Sequence, residues 1–145
     1  MKILVAVDGS QCSLLAVRHA LLLLREGLRA DVVLATVQES TYVYETILAP
    51  DSHVMDRLSG AVGMRALASA EELLKESGVP YTREIGSGET APTLLAIAKQ
   101  HGCSQIVLGA RGIGAVRGVL LGSVSQGVLM DSAVPVTIVK GDSAS

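Results

Sequence analysis

At 145 residues, 49% of them hydrophobic and 18% charged, the chain suffices for one domain with its own apolar core, without metal or disulfide staples. Its 12 Lys and Arg against 14 Asp and Glu leave a net charge of −2, which argues against sequence-independent binding to a polyanion such as nucleic acid. With no Phe or Trp and only 3 Tyr, base-stacking platforms are excluded as well, and the core must be built from Val, Ile, Leu, Ala and Met.

The apolar run at the N-terminus is too short for a signal-peptide core, and the longest apolar stretch, Ala20 to Leu24, is far short of a membrane span. Cys12 and Cys103 lie far apart with no CxxC spacing. A reduced, cytoplasmic setting without membrane contact is the expectation.

In chain order, Lys2 to Val7 is apolar nearly throughout, as a strand covered on both faces should be. Asp8-Gly9-Ser10 breaks it. Apolar residues at 14, 17, 21 and 24 predict a helix over Ser13 to Glu26, closed by Gly27 as its C-cap. Asp31 to Val37 is a second buried strand, and Gln38 to Met55, which holds Pro50 and no clean period, reads as a long loop. A second helix is predicted over Asp56 to Ser77, with first turns weakened by Gly60 and Gly63. Pro80 to Ile85 alternates and carries charge, which suits an edge strand. A short helix over Thr93 to His101 follows, then a strand at Ser104 to Leu108. The Gly-rich stretch 109–122, a helix over Ser123 to Met130 and a last strand at Val134 to Val139 complete the chain.

Strand and helix in strict alternation predict an α/β domain with one parallel, doubly wound five-stranded sheet, of order 3-2-1-4-5, and helices on both faces. In that order the winding reverses between strands one and four. Ligands of such sheets bind beyond the strand C-termini at the reversal, and the loops opening there are Asp8-Gly9-Ser10 and 109–122. Those two loops are also the richest in Gly and small polar residues.

The sharpest motif is Gly109-Ala110-Arg111-Gly112, nine further residues, then Gly122-Ser123. Glycines let backbone N–H groups approach phosphate oxygens, and Ser123 stands where a helix begins and its free amides attract an anion. Arg111 and Arg117 add positive charge beside a triphosphate. By spacing alone the stretch reads equally well as a Gly-rich loop ending in a Ser N-cap.

The spacing Gly-x2-Gly-x9-Gly-Ser resembles the ATP loop of the universal stress protein family, and specifically its ATP-binding branch. Ile3 to Ser10 resembles that family's first strand and adenosine-contacting loop, Gln105 to Gly112 its fourth strand, and Val134 to Val139 its closing strand. The resemblance runs over about residues 2–140, weakest at 38–55, and implies one nucleotide-binding domain, 1–140, with a tail at 141–145. It implies that Val7 and Asp8 contact the adenosine and that Val37 lines the adenine pocket. Gly109, Arg111 and Gly112 would then approach the ribose and phosphates, while Gly122, Ser123 and the amides of Val124 and Ser125 hold the phosphates. ATP with Mg2+ is the implied ligand, and a stress-response or signalling module the implied role. Ser104 and Ala110 depart from the residues common in the family, but neither falls on a loop glycine.

A second motif, Gly86-Ser87-Gly88-Glu89-Thr90-Ala91, fits the dinucleotide fingerprint G-x-G-x-x-A, but it follows an edge strand and not the first. A turn with Thr90 as N-cap and Pro92 in the first helical turn explains it better. Catalytic constellations are missing: there is no Walker lysine, no G-x-S-x-G and no metal-ligand spacing. His19, His53 and His101 read as surface or interface residues, and Cys12 as a buried apolar group. The last strand is apolar on both faces and forms a sheet edge, which predicts a homodimer paired through Val134 to Val139. A slow ATPase or other nucleotide-dependent enzyme, and a dimeric interaction protein with a vestigial nucleotide loop, are the alternatives.

Overall fold

Alternation along β1 (Lys2–Ala6) explains how one sheet builds two cores. Ile3 and Val5 face one side, and Leu4 and Ala6 the other, all at or near zero exposure. In this computed structural model, residues 1–39, 52–111 and 121–141 are described, with the helical course alone over 52–62. The further elements are α1 (Gln11–Arg25), β2 (Asp31–Gln38), α2 (Ser52–Glu76) and β3 (Tyr81–Ser87). α3 (Thr90–His101), β4 (Gln105–Gly109), α4 (Ser123–Asp131) and β5 (Val136–Val139) complete the order.

All strand pairs are parallel and the sheet order is β3-β2-β1-β4-β5, as the alternation of elements predicts. On one face α1 and α2 cover Ile3, Val5, Leu34 and Val107 with Val17, Leu67 and Leu74. On the other, Leu94, Ile97 and Val128 from α3 and α4 cover Leu4, Val33 and Ile106. Each such Leu, Ile or Val contributes about 1.5–3 kcal/mol by leaving water. Aliphatic residues alone therefore account for a core without Phe or Trp.

Several boundaries differ from those read off the sequence. α1 begins at Gln11, two residues earlier than predicted, because Ser10 caps it: the Ser10 hydroxyl accepts from Ser13 N–H at 3.2 Å. Its C-cap is Glu26, with Gly27 one residue beyond. α2 already runs from Ser52, so the start of the helix lies inside the stretch read as loop; residues 40–51 lie outside the described residues. Gly63 has a packing role in this helix. A Cβ there would stand 2.7 Å from Ile85 Cγ2, so the glycine lets α2 press on β3.

α3 starts at Thr90, its cap is Glu89, and so Thr90 is not the N-cap the sequence suggests. Edge strand β3 is tied to the helices by charge. Arg83 forms a two-point ion pair with Glu71 of α2, its Nη2 donating to Oε2 at 3.0 Å. The hydrogen bond and the charge of Glu71 raise the Arg83 guanidinium above its ordinary pKa. His101 Nε2 lies 2.8 Å from Glu84 Oε1, a contact that ties the end of α3 to β3. Among the described residues no helix is long and apolar enough to cross a membrane.

Candidate functional site

The β1 and β4 C-termini open side by side, and the chain is shaped there on each side. After β1, Asp8 Oδ1 accepts from the Ser10 N–H at 2.8 Å, the Asp8 N–H donates to Ser13 Oγ at 3.3 Å, and Gly9 takes φ +87° to make the turn. The Asp8 loop is thus locked to the first turn of α1. Val7, 5% exposed, donates its N–H to Ala35 O at 2.9 Å, which holds the loop beside β2. By register Val37 is two residues beyond Ala35, the partner of Ala6, and so stands level with Asp8 across the sheet.

Across the reversal, Gly109 ends β4 and lies directly against the start of α1. A Cβ on it would meet Cys12 O at 2.9 Å and Cys12 Sγ at 3.0 Å. The glycine at this point of the motif is therefore demanded by helix packing, whatever it offers a ligand. Cys12 itself is only half-buried, less than the sequence suggests, and its Sγ lies 3.9 Å from Val139 O.

The far end of the Gly-rich loop returns to the same place. Gly122 N–H donates to Ala110 O at 2.8 Å, and the Ser125 hydroxyl donates to that oxygen at 2.7 Å while lying 3.0 Å from Gly122 O. Ser125 is 2% exposed, and its hydroxyl is engaged in closing the loop. Gly122, and not Ser123, is the N-cap of α4; no side chain caps this end and no acidic residue stands in its first turn. The amides of Ser123, Val124 and Ser125 are the first three of the helix, which the intrahelical ladder cannot satisfy. Such an end attracts an anion. Ser123 is exposed, and Val124 and Arg111 are half-buried. Gly112 and Arg117 lie outside the described residues.

Two features here escape the sequence. Ser13, together with the Ser10 cap, fixes the Asp8 loop; a Ser-x-x-Ser spacing at a helix start is the signal for it. Glu39 has no motif at all. Its Oε1 accepts from Thr90 Oγ1 at 2.8 Å, and it borders a groove of about 500 Å³ between Gly88 to Pro92 and Ser123 with Val124. The dinucleotide-like glycines beside that groove have local causes. A Cβ on Gly86 would stand 2.6 Å from Thr93 Cγ2, and Gly88 turns at φ +127°. Among the described residues no group of three or more His, Cys, Asp or Glu could hold a metal ion.

Comparison with known proteins gives the same arrangement a lineage. The chain is 34% identical over 145 residues to the universal stress protein YxiE of Bacillus subtilis, covering 96% of this chain and 98% of that one. The structure superposes on that of the hypothetical protein MJ0577 with a TM-score of 0.82 at 23% identity, over 97% and 96% of the two chains. A universal stress protein in complex with cAMP superposes with a TM-score of 0.64 at 25% identity, over 96% and 95%. One from Arabidopsis thaliana with AMP bound gives 0.68 at 21%, over 99% and 94%. The sequence model of the Universal stress protein family matches residues 1–140, and the chain belongs to that family.

Proposed function

We propose that the chain binds an adenine nucleotide, ATP first among them, and works as a dimeric, nucleotide-responsive module of stress adaptation. The observation that carries this reading is the bare N-terminus of α4, drawn up to Ala110 beside the Asp8 loop. Three amides there, without a partner among the described residues, suit phosphate oxygens, and no carboxylate in the first turn opposes them. Asp8 and Val37, level with one another at the adjoining strand ends, suit the adenosine. Two relatives of the same fold carry AMP or cAMP, which supports an adenine nucleotide as the ligand class. Mg2+ enters as the companion of the triphosphate, held by its oxygens. Occupancy would fill the space between the Asp8 loop and the start of α4 and so alter the surface offered to a partner.

The test is the nucleotide that the purified chain carries, released by acid and identified by mass, followed by calorimetry with ATP, AMP and cyclic AMP. Asp8→Asn keeps the acceptor for Ser10 N–H but removes the charge, and Gly122→Val crowds the phosphate end; both are expected to weaken binding. Full-strength ATP binding by Gly122→Val would refute the loop assignment.

A further inference from the structure

We propose that Glu39 is a charge-selecting residue of this site: its carboxylate guards one end of the groove against phosphate and leaves the other end to the ligand. The inference rests on the nucleotide reading above and concerns how the site ranks its ligands.

The groove of about 500 Å³ joins two helix starts, Thr90 of α3 and Ser123 of α4. Both ends attract anions through their free amides and the helix dipole. They differ in the charge that stands beside them. At α4 there is neither a side-chain cap nor an acidic residue in the first turn. The first turn of α3 likewise holds no acidic residue and no side chain caps its amides, but its cap position is Glu89, and a second carboxylate arrives from the end of β2, 51 residues away in sequence, as Glu39 accepts from the Thr90 hydroxyl at 2.8 Å. Two carboxylates thus stand beside the α3 start, whereas the cap position of α4 is Gly122.

This arrangement gives the groove a direction. A phosphate gains at Ser123 and Val124 and is repelled as it nears Glu39 and Glu89. The repulsion grows with the charge of the ligand, so it weighs on ATP more than on AMP. Both carboxylates are exposed, so the effect is screened by salt. The same placement disfavours phosphate at the dinucleotide-like motif 86–91, whose helix start has the carboxylates of Glu39 and Glu89 beside it.

The experiment is calorimetry with AMP and ATP, in EDTA at low ionic strength, on the unaltered chain, Glu39→Gln and Glu39→Asp. Glutamine keeps an acceptor for Thr90 and removes only the charge. Expected is a shift of the ATP-to-AMP affinity ratio toward ATP by about threefold in Glu39→Gln, from one unit charge acting through water. The shift should fade near about 0.5 M salt, and Glu39→Asp should keep the original ratio. An unshifted ratio in Glu39→Gln, or an equal shift in Glu39→Asp, overturns the proposal while leaving nucleotide binding intact. Failure of the unaltered chain to bind either nucleotide overturns the nucleotide reading and this proposal with it.

Discussion

Gly109 and Cys12 meet so closely that no side chain fits between β4 and the first turn of α1: a Cβ on Gly109 would stand 2.9 Å from the Cys12 carbonyl oxygen and 3.1 Å from its carbon. Those are backbone atoms at the start of a helix capped by Ser10, so they cannot step aside as a side-chain tip could. Gly109→Ala should therefore push α1 from the sheet and destabilise the fold by about 1–3 kcal/mol, the usual cost of overpacking. The same displacement moves the Asp8 loop away from the Gly-rich loop. Urea unfolding should show a lower midpoint with an unchanged slope, and nucleotide calorimetry a weaker affinity.

Ser125 makes a second, separable prediction. Its buried hydroxyl bridges Ala110 O and Gly122 O, pinning together the two ends of the Gly-rich loop. Ser125→Ala keeps the amide that is offered to phosphate and removes only the pin. Loss of a buried hydrogen-bonding group costs about 1–3 kcal/mol. Stability should fall by that amount, and nucleotide binding should weaken through a larger entropic penalty, read as a more unfavourable binding entropy. Ser125→Thr, which retains the hydroxyl, should recover part of both.

How far such features can be read from residues alone depends on how local their cause is. Unbroken apolar runs such as Ile3 to Val7 and Ile106 to Leu108 disclose the parallel sheet, because burial on both faces needs continuous apolar sequence. The glycines at 109 and 122 are legible as a loop signature, yet the packing reason for Gly109 is not, since Cys12 meets it only after β1 and β4 pair. Cap positions slipped by one residue at Gly122 and Glu89, because a cap is defined by backbone angles and not by residue type. Glu39 is invisible in sequence: its partner Thr90 is brought to it by the pairing of β2 with β3, which sets Gln38 beside Ser87.

Cys103 links the core to pH. It is 6% exposed, and burial raises its thiol pKa above the ordinary 9.0, against a smaller lowering by Lys2. A raised pKa means that the unfolded chain loses this proton first as pH rises, while the native chain keeps it. Stability is therefore complete below the ordinary thiol value and declines as pH climbs through and beyond it. The urea midpoint should fall between about pH 8 and about pH 10, and Cys103→Val should fall less over that range. Half-buried Cys12 should also react with a thiol reagent well before Cys103 does in the native protein.

The two sheet edges predict where a second copy binds. β3 exposes Thr82 and Arg83 and carries two charged residues, Arg83 and Glu84, at its middle, which discourages pairing. β5 reads Val-Thr-Ile-Val, without a charge, and each residue is only half-buried. Ile106 N–H donates to Pro135 O and Ala110 N–H to Val139 O, so the odd-numbered residues face β4. Strand alternation then turns the N–H and C=O of Val136 and Ile138 outward, a ladder without a partner among the described residues that an antiparallel copy of β5 would satisfy. Sedimentation of the unaltered chain at tens of micromolar should report a dimer, and a purely monomeric profile would refute the edge assignment. Val136→Pro removes one outward N–H but none of those facing β4, so it should shift the equilibrium toward monomer at little cost to the fold. If the variant stays fully dimeric, the contact between copies lies elsewhere than β5.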